Sequence, residues 1–294
     1  MATLDRTFQK GAVLCWPTKP VSIMLMTNTI IAVFLGIIGA ALGSFAGAVA
    51  WRLHEKRNFV SERSECESCH HKLSVFDLIP VLSWLLLRSK CRYCGAKIGA
   101  ETLLSESALS ALFVISYLYW PYGVIEWQAI AMLAVWLIAL VLLAILVVYD
   151  ARWLLLPDAV VFPLIALGFL FAALYTSLQP GMTIPGAILY MGFGMVSLAG
   201  VYGILYLVSK GKWVGFGDVK LSIFIGLVVG WQKALLVLFL ANIIGFLIVL
   251  PGLLTHKLTR TSRVPFGPFL IVAFILAGLF GDEIIKGYIR LIGL

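Results

Sequence analysis

Residues 127–150, WQAIAMLAVWLIALVLLAILVVYD, run for 23 positions without a charge and then meet Asp150. A helix of about 20 apolar residues crosses a hydrocarbon core of about 30 Å. The segment therefore reads as a membrane span closed at one face by a carboxylate. The rest of the chain agrees: 62% of its 294 residues are hydrophobic, and 12% are charged, half of the ~25% usual in soluble domains. With a mean hydropathy of +1.03, most of the chain must face lipid. Five cysteines are too sparse for a secreted disulfide scaffold, and the apolar content is too high for long disorder. The fold class is an all-α polytopic membrane protein.

Apolar stretches at 22–51, 102–120, 127–149, 158–178, 184–208, 219–230, 233–253 and 266–281 give about eight transmembrane helices. The sixth is short and follows the glycine-rich Gly215-Phe216-Gly217, so it either starts within the membrane or is re-entrant. The expected organisation is an N-terminal tail (1–21), a first transmembrane helix (22–51), a polar loop (52–101) and a membrane core of about seven helices (102–294). Segments 52–101, 151–157, 209–220 and 254–265 hold 16 of the 22 Lys and Arg residues. Basic residues concentrate on the cytoplasmic side, which places the polar loop inside and both termini outside. Fusing spans six and seven would move Lys257, Arg260 and Arg263 outside, so the two are kept separate. The net charge of +8 is thus assigned to membrane orientation, and no nucleic-acid partner is expected. A cleaved signal peptide ending near Ala48 or Ala50 is disfavoured, because the first apolar stretch exceeds the 7–15 residues of a signal core.

Within the loop, Cys66, Cys69, Cys91 and Cys94 form C-x2-C, a gap of 21 residues and a second C-x2-C. Two thiolate pairs on tight turns supply four ligands in a tetrahedron, and such a closed site makes zinc structural rather than catalytic. The reducing cytosol argues against disulfides. His70 and His71 are expected to be solvated, and Cys15 is a lone small apolar residue.

Three acidic residues stand at the cytoplasmic ends of spans. Asp150 closes span three, Asp158 follows Pro157 at the start of span four, and Asp218 ends Gly215-Phe216-Gly217-Asp218 before span six. Carboxylates near the membrane are costly and point to function. Capping of a helix N-terminus explains Asp158 well and Asp218 in part. It does not suit Asp150, whose charge opposes the negative end of its helix. Carboxylates from spans three and six on one face can share a proton and activate water against a peptide carbonyl. Gly215 and Gly217 would let backbone approach a substrate strand. Asp218, at a helix start, is the better base, and Asp150 is the group that keeps the proton. Arg152, Lys212 and Lys220 lie beside the pair in sequence, as tuning cations or as solvated ones.

These residues together resemble the type IV prepilin peptidase family. The resemblance rests on Asp150 with Pro157-Asp158, on Gly-x-Gly-Asp at Asp218 followed by Lys220-Leu221, and on Pro265-Phe266-Gly267-Pro268. In the loop it rests on Arg63-Ser64, the run Asp77 to Trp84, and Cys91-Arg92-Tyr93-Cys94. It implies an inner-membrane aspartic endopeptidase that removes the leader of prepilins or pseudopilins at the cytoplasmic face. Many such enzymes then methylate the new N-terminus with S-adenosylmethionine. Carried over, the catalytic aspartates are Asp150 and Asp218, supported by Gly215, Gly217, Asp158 and Lys220, with structural zinc on the four cysteines. The chain departs from the family after the second cysteine pair, where Glu101 replaces the usual arginine and Leu103 the usual proline. Ala46 and Gly47 also stand where the family has leucine and asparagine. Cleavage is therefore expected, and methylation is expected to be weak or absent. The alternative reading is a proton- or ion-coupled transporter, whose carboxylates should lie at mid-membrane. A zinc-ribbon module on an anchor would need one or two spans, not eight.

Overall fold

A computed structural model describes residues 21–57, 64–66, 68–179, 181–256, 259 and 264–292, with side chains from residue 26. The tail 1–20 with Cys15, and also Arg63, Lys257, Arg260 and Arg263, lie outside the described residues. In chain order the elements are α1 (Val21–His54), a 3-10 turn η1 (Val75–Leu78), α2 (Leu82–Leu86) and α3 (Ala100–Leu118). There follow α4 (Trp127–Trp153), α5 (Asp158–Leu178), α6 (Ile184–Ser209), α7 (Phe216–Leu254) and α8 (Gly267–Leu291). Among the described residues there is no strand, only two isolated bridges, Glu65 with Lys72 and Lys90 with Lys97.

Among the described residues, seven helices are long and apolar enough to cross a membrane. The count is one below the eight apolar stretches because spans six and seven form the single helix α7, which is broken at Gly230 (φ 72°, ψ 173°). The chain reverses there. Lys233, just past the break, bonds Asp282 in the second half of α8, whereas Gly245 lies against Phe269 at the start of α8. Fifteen residues of helix return about 22 Å, so Gly245 is back at the level from which α7 set out. Only glycine fits the turn, because the left-handed φ is strained for other residues and a Cβ would strike the Tyr190 ring. The two spans expected from charge are thus two antiparallel halves of one broken helix.

α4 is the central helix. Met132, Trp136, Leu140, Leu143 and Leu146 are buried along it, and α1, α3, α5 and α8 all pack on it. In a bilayer, lipid tails are as apolar as leucine, so close packing at small residues carries helix association. α1 and α3 meet this way at Gly39 and Gly43. A Cβ would lie 2.8 Å from the Leu109 carbonyl oxygen at the first and 2.6 Å from the Glu106 Cα at the second. α6 and the first half of α7 cross at Gly194 and Gly226, each facing the other's backbone carbonyl with no room for a methyl group.

Gly226→Ala is therefore expected to destabilise the folded protein by about 1–3 kcal/mol through overpacking against backbone. Gly192→Ala, with nothing within 4 Å of the new Cβ, should be neutral or stabilising by up to ~1 kcal/mol. Thermal unfolding of the two variants in one detergent checks this, and equal midpoints would contradict the crossing.

Candidate active site and metal centre

The last turn of α4 carries Asp150, the first turn of α7 carries Asp218, and both are buried, at 6% and 8% exposure. The Gly215 amide donates to Asp218 Oδ2 (3.1 Å), so the carboxylate caps its own helix. Asp150 Oδ2 accepts the Gly267 N–H (3.0 Å) at the start of α8. Asp150 thus closes one helix but caps another. The contrast between the aspartates expected from their places on their own helices disappears, since each carboxylate faces a helix N-terminus.

Leu156, in the link from α4 to α5, joins the two halves of the site. A Cβ on Gly217 would sit 2.8 Å from Leu156 Cβ, and one on Gly267 would sit 3.5 Å from Leu156 Cδ2 and 2.7 Å from Asp150 Oδ2. Both glycines keep space for Leu156, which draws the α7 and α8 starts onto the end of α4. This brings the end of α4 that carries Asp150 to the start of α7 that carries Asp218. Neither glycine of Gly215-Phe216-Gly217 has a positive φ. Gly215 is extended (φ −74°, ψ 150°), as any residue can be. At Gly217, which lies inside α7, the missing side chain makes room for Leu156.

Asp158, the first residue of α5, pairs with Lys220 Nζ at 2.6 Å. Lys220 also lies 4.9 Å from the Phe216 ring centroid and 5.3 Å from that of Phe162. The two residues brace α5 against α7 at the margin of the site. Arg152, one turn position beyond Asp150, points to the loop side and meets Glu101 at 2.5 Å. Two residues enter the site without a sequence expectation. Gly267 lay in a quoted motif but had no role, and its contact spans 117 positions. Tyr202 is 1% exposed and close enough to Asp218 to feel its charge. Its ring packs on Phe266, the residue that precedes α8.

The four cysteine sulfurs lie within 4.8 Å of one another. Cys66 Sγ and Cys94 Sγ are 3.8 Å apart, the spacing of two sulfurs bound tetrahedrally at about 2.3 Å to one ion. The two turns are built alike. The His70 amide donates to the Cys66 carbonyl and the Gly95 amide to the Cys91 carbonyl, with His70 and Gly95 both at positive φ. The group can hold one soft divalent metal. The histidines are occupied elsewhere, His70 beside Glu65 and His71 stacked at 3.7 Å on Tyr93. Asp77 locks η1 to the second turn through Arg92 Nε (2.8 Å) and the Tyr93 hydroxyl (3.3 Å). Although burial works the other way, the Ser74 and Arg92 donors hold its carboxyl below the usual range. Beneath the loop lies a cleft of about 270 Å³, lined by Trp51, Arg52, Glu101, Glu106 and Arg152 among others.

Residues 37–120 match the bacterial peptidase A24 N-terminal domain, and residues 132–250 match the type IV leader peptidase family. A prepilin leader peptidase/N-methyltransferase of Pseudomonas aeruginosa is 35% identical over 238 residues, 80% of this chain and 78% of that protein. The chain belongs to the type IV leader peptidase family. A protein of the same name from Stutzerimonas stutzeri is 34% identical, covering 79% of this chain and 77% of its own. One from Bacillus subtilis is 30% identical, covering 87% and 97%. No solved structure matches the chain. The N-terminal domain match covers the cysteine loop with most of α1 and all of α3. The leader peptidase match contains both aspartates but stops before Gly267, whose amide holds one of them.

Metal analysis of the purified leader-peptidase-family protein is expected to find one soft divalent ion per chain. Cys66→Ser combined with Cys91→Ser should remove it and destabilise the loop, since binding energy at such sites is largely folding energy. Unchanged metal content in the double variant would locate the ion elsewhere.

Proposed function

We propose that the chain is an integral membrane aspartic endopeptidase that cleaves the leader from type IV prepilins or pseudopilins, with Asp150 and Asp218 as its catalytic dyad. The observation that carries this is the convergence of two buried carboxylates from distant helices, each held through Oδ2 by a backbone N–H. One carboxylate takes a proton from the attacking water while the other gives a proton to the scissile carbonyl oxygen, and the pair exchanges roles during turnover. The relatives named as prepilin leader peptidases support prepilin as the substrate class. The bacterial inner membrane is the proposed location. The 16 basic residues on one side support a cytoplasmic site, with the loop 52–101 in the cytoplasm and 102–294 as the protease core. Zinc is the ion we assign to Cys66, Cys69, Cys91 and Cys94, in a structural role.

Transport is disfavoured by depth. Asp150 lies in the last turn of α4 and Asp218 in the first turn of α7, whereas a coupling carboxylate belongs at mid-membrane. Asp150→Asn and Asp218→Asn should each reduce cleavage of a model prepilin to about 1% or less, with metal content retained. Asp158→Asn removes only a half-exposed ion pair, and should leave activity within about fivefold. Normal processing by either dyad variant would end the protease reading.

N-methyl transfer is named in the relatives, S-adenosylmethionine would be its methyl donor, and the candidate place for that cofactor is the cleft beneath the loop. At Glu101, where the family resemblance places an arginine, the fit is poor. Glu101 faces the cleft and neutralises Arg152 at 2.5 Å, so a cationic partner for the cofactor's carboxylate is already engaged. Mass analysis of the product should show the cleaved N-terminus without an added methyl group. Robust methylation by the purified enzyme would overturn this.

A further inference from the structure

The segment from η1 through α2 exposes Val75 (80%), Phe76 (72%), Leu82 (57%), Leu85 (54%) and Leu86 (82%). α2 is two-sided. Ser83, Trp84 and Leu87 line the cleft beneath the loop, and Leu82, Leu85 and Leu86, spaced i, i+3 and i+4, point away from it. A contiguous apolar face of this kind marks an interaction surface.

The depth of the segment identifies the partner. The Val81 amide donates to Glu106 Oε2 at 2.6 Å, with Val81 held at φ 62°. Glu106 is six residues into α3, about 9 Å along its axis, and it packs against Gly43 of α1. α1 continues for eleven more residues beyond Gly43, about 16 Å. Glu101, five residues earlier in α3, is level with Arg152 of α4 through their ion pair. The start of α2 is thus deeper in the bundle than the end of α4, beside helices whose outer surfaces already face lipid. Arg88 and Lys90, both exposed, follow α2 directly, where long cations reach outward from an apolar anchor.

We propose that η1 and α2 form an interfacial anchor that lies in the headgroup and upper acyl region of the bilayer. Val75, Phe76, Leu82, Leu85 and Leu86 are buried in lipid, and Arg88 and Lys90 sit at anionic headgroups. The metal-bearing turns are thereby fixed on the membrane surface through one flank.

Full-length, metal-loaded protein in phosphatidylcholine and phosphatidylglycerol vesicles, photolabelled by a phospholipid with a carbene-generating group in its upper acyl chain, tests this. Peptide mapping should find adducts on 75–87 within about twofold of those on the lipid-facing Ile30, Phe34 and Ile37 of α1, and few on the metal turns. Leu85→Asp with Leu86→Asp should lower labelling of that segment at least about fivefold, with metal content showing that the loop remains folded. Adducts on α1 but none on 75–87 in the unmodified protein would overturn the proposal and leave the face to water or a soluble partner. Because the readout is lipid contact rather than cleavage, it stands or falls independently of the protease assignment.

Discussion

A helix start leaves its first backbone N–H groups without partners inside the helix, and where such a start is buried the protein itself supplies acceptors. Here the acceptors at two such starts are the carboxylates of Asp150 and Asp218. The bond from Gly267 to Asp150 ties the start of α8 to the end of α4, the bond from Gly215 to Asp218 closes the first turn of α7 on itself, and Leu156 packs against the starts of both α7 and α8. A carboxylate that caps a helix is fixed in position without a second side chain. The bonds that satisfy these two helix starts therefore also hold the two groups proposed for catalysis.

The remaining packing serves that junction. α4 sits at the centre, and its last turn must reach the level at which α7 and α8 begin. The close crossing of Gly194 with Gly226 sets α7 against α6 and so fixes where Asp218 lies. On the other flank, Glu101 and Arg152 tie α3 to α4, and Glu106 ties α3 to the loop through Val81. The cysteine loop is thus joined to the helix that carries Asp150, one helix removed.

The readable part of this site was the part written in local chemistry. Asp150 and Asp218 stand out because a carboxylate beside a long apolar run is expensive, and the four cysteines stand out because ligand spacing is a property of the chain alone. Gly267 was quoted as part of a motif but given no role, since its bond to Asp150 joins residues 117 apart and a backbone amide leaves no mark in sequence. Gly215 and Gly217 stand out in sequence as places where backbone can be approached closely, but sequence does not name the neighbour, which at Gly217 is Leu156. Span counting came out one above the seven helices described, yet it separated spans six and seven where α7 breaks. The charge beyond residue 254 required a reversal between spans six and seven, but sequence did not show that the reversal would be one glycine within a continuous helix. α8 runs to Leu291, ten residues beyond the apolar stretch, because its last turns are polar and leave the hydrophobic signal before they leave the helix.

The reversal at Gly230 also bears on how the protein is assembled. Lys233 follows the turn by three residues, on the side of the bundle away from the dyad, and its side chain is only 14% exposed because Asp282 meets it there. That partner is synthesised 49 residues later. Until α8 enters, the hairpin of α7 holds an ammonium group without its counter-ion, and the cost is relieved only when Asp282 arrives. Insertion of the last helix is thus coupled to that of the hairpin before it. A chain truncated ahead of α8 would lose the Gly267 amide beside Asp150 and, at the opposite face, the charge that lets the hairpin settle.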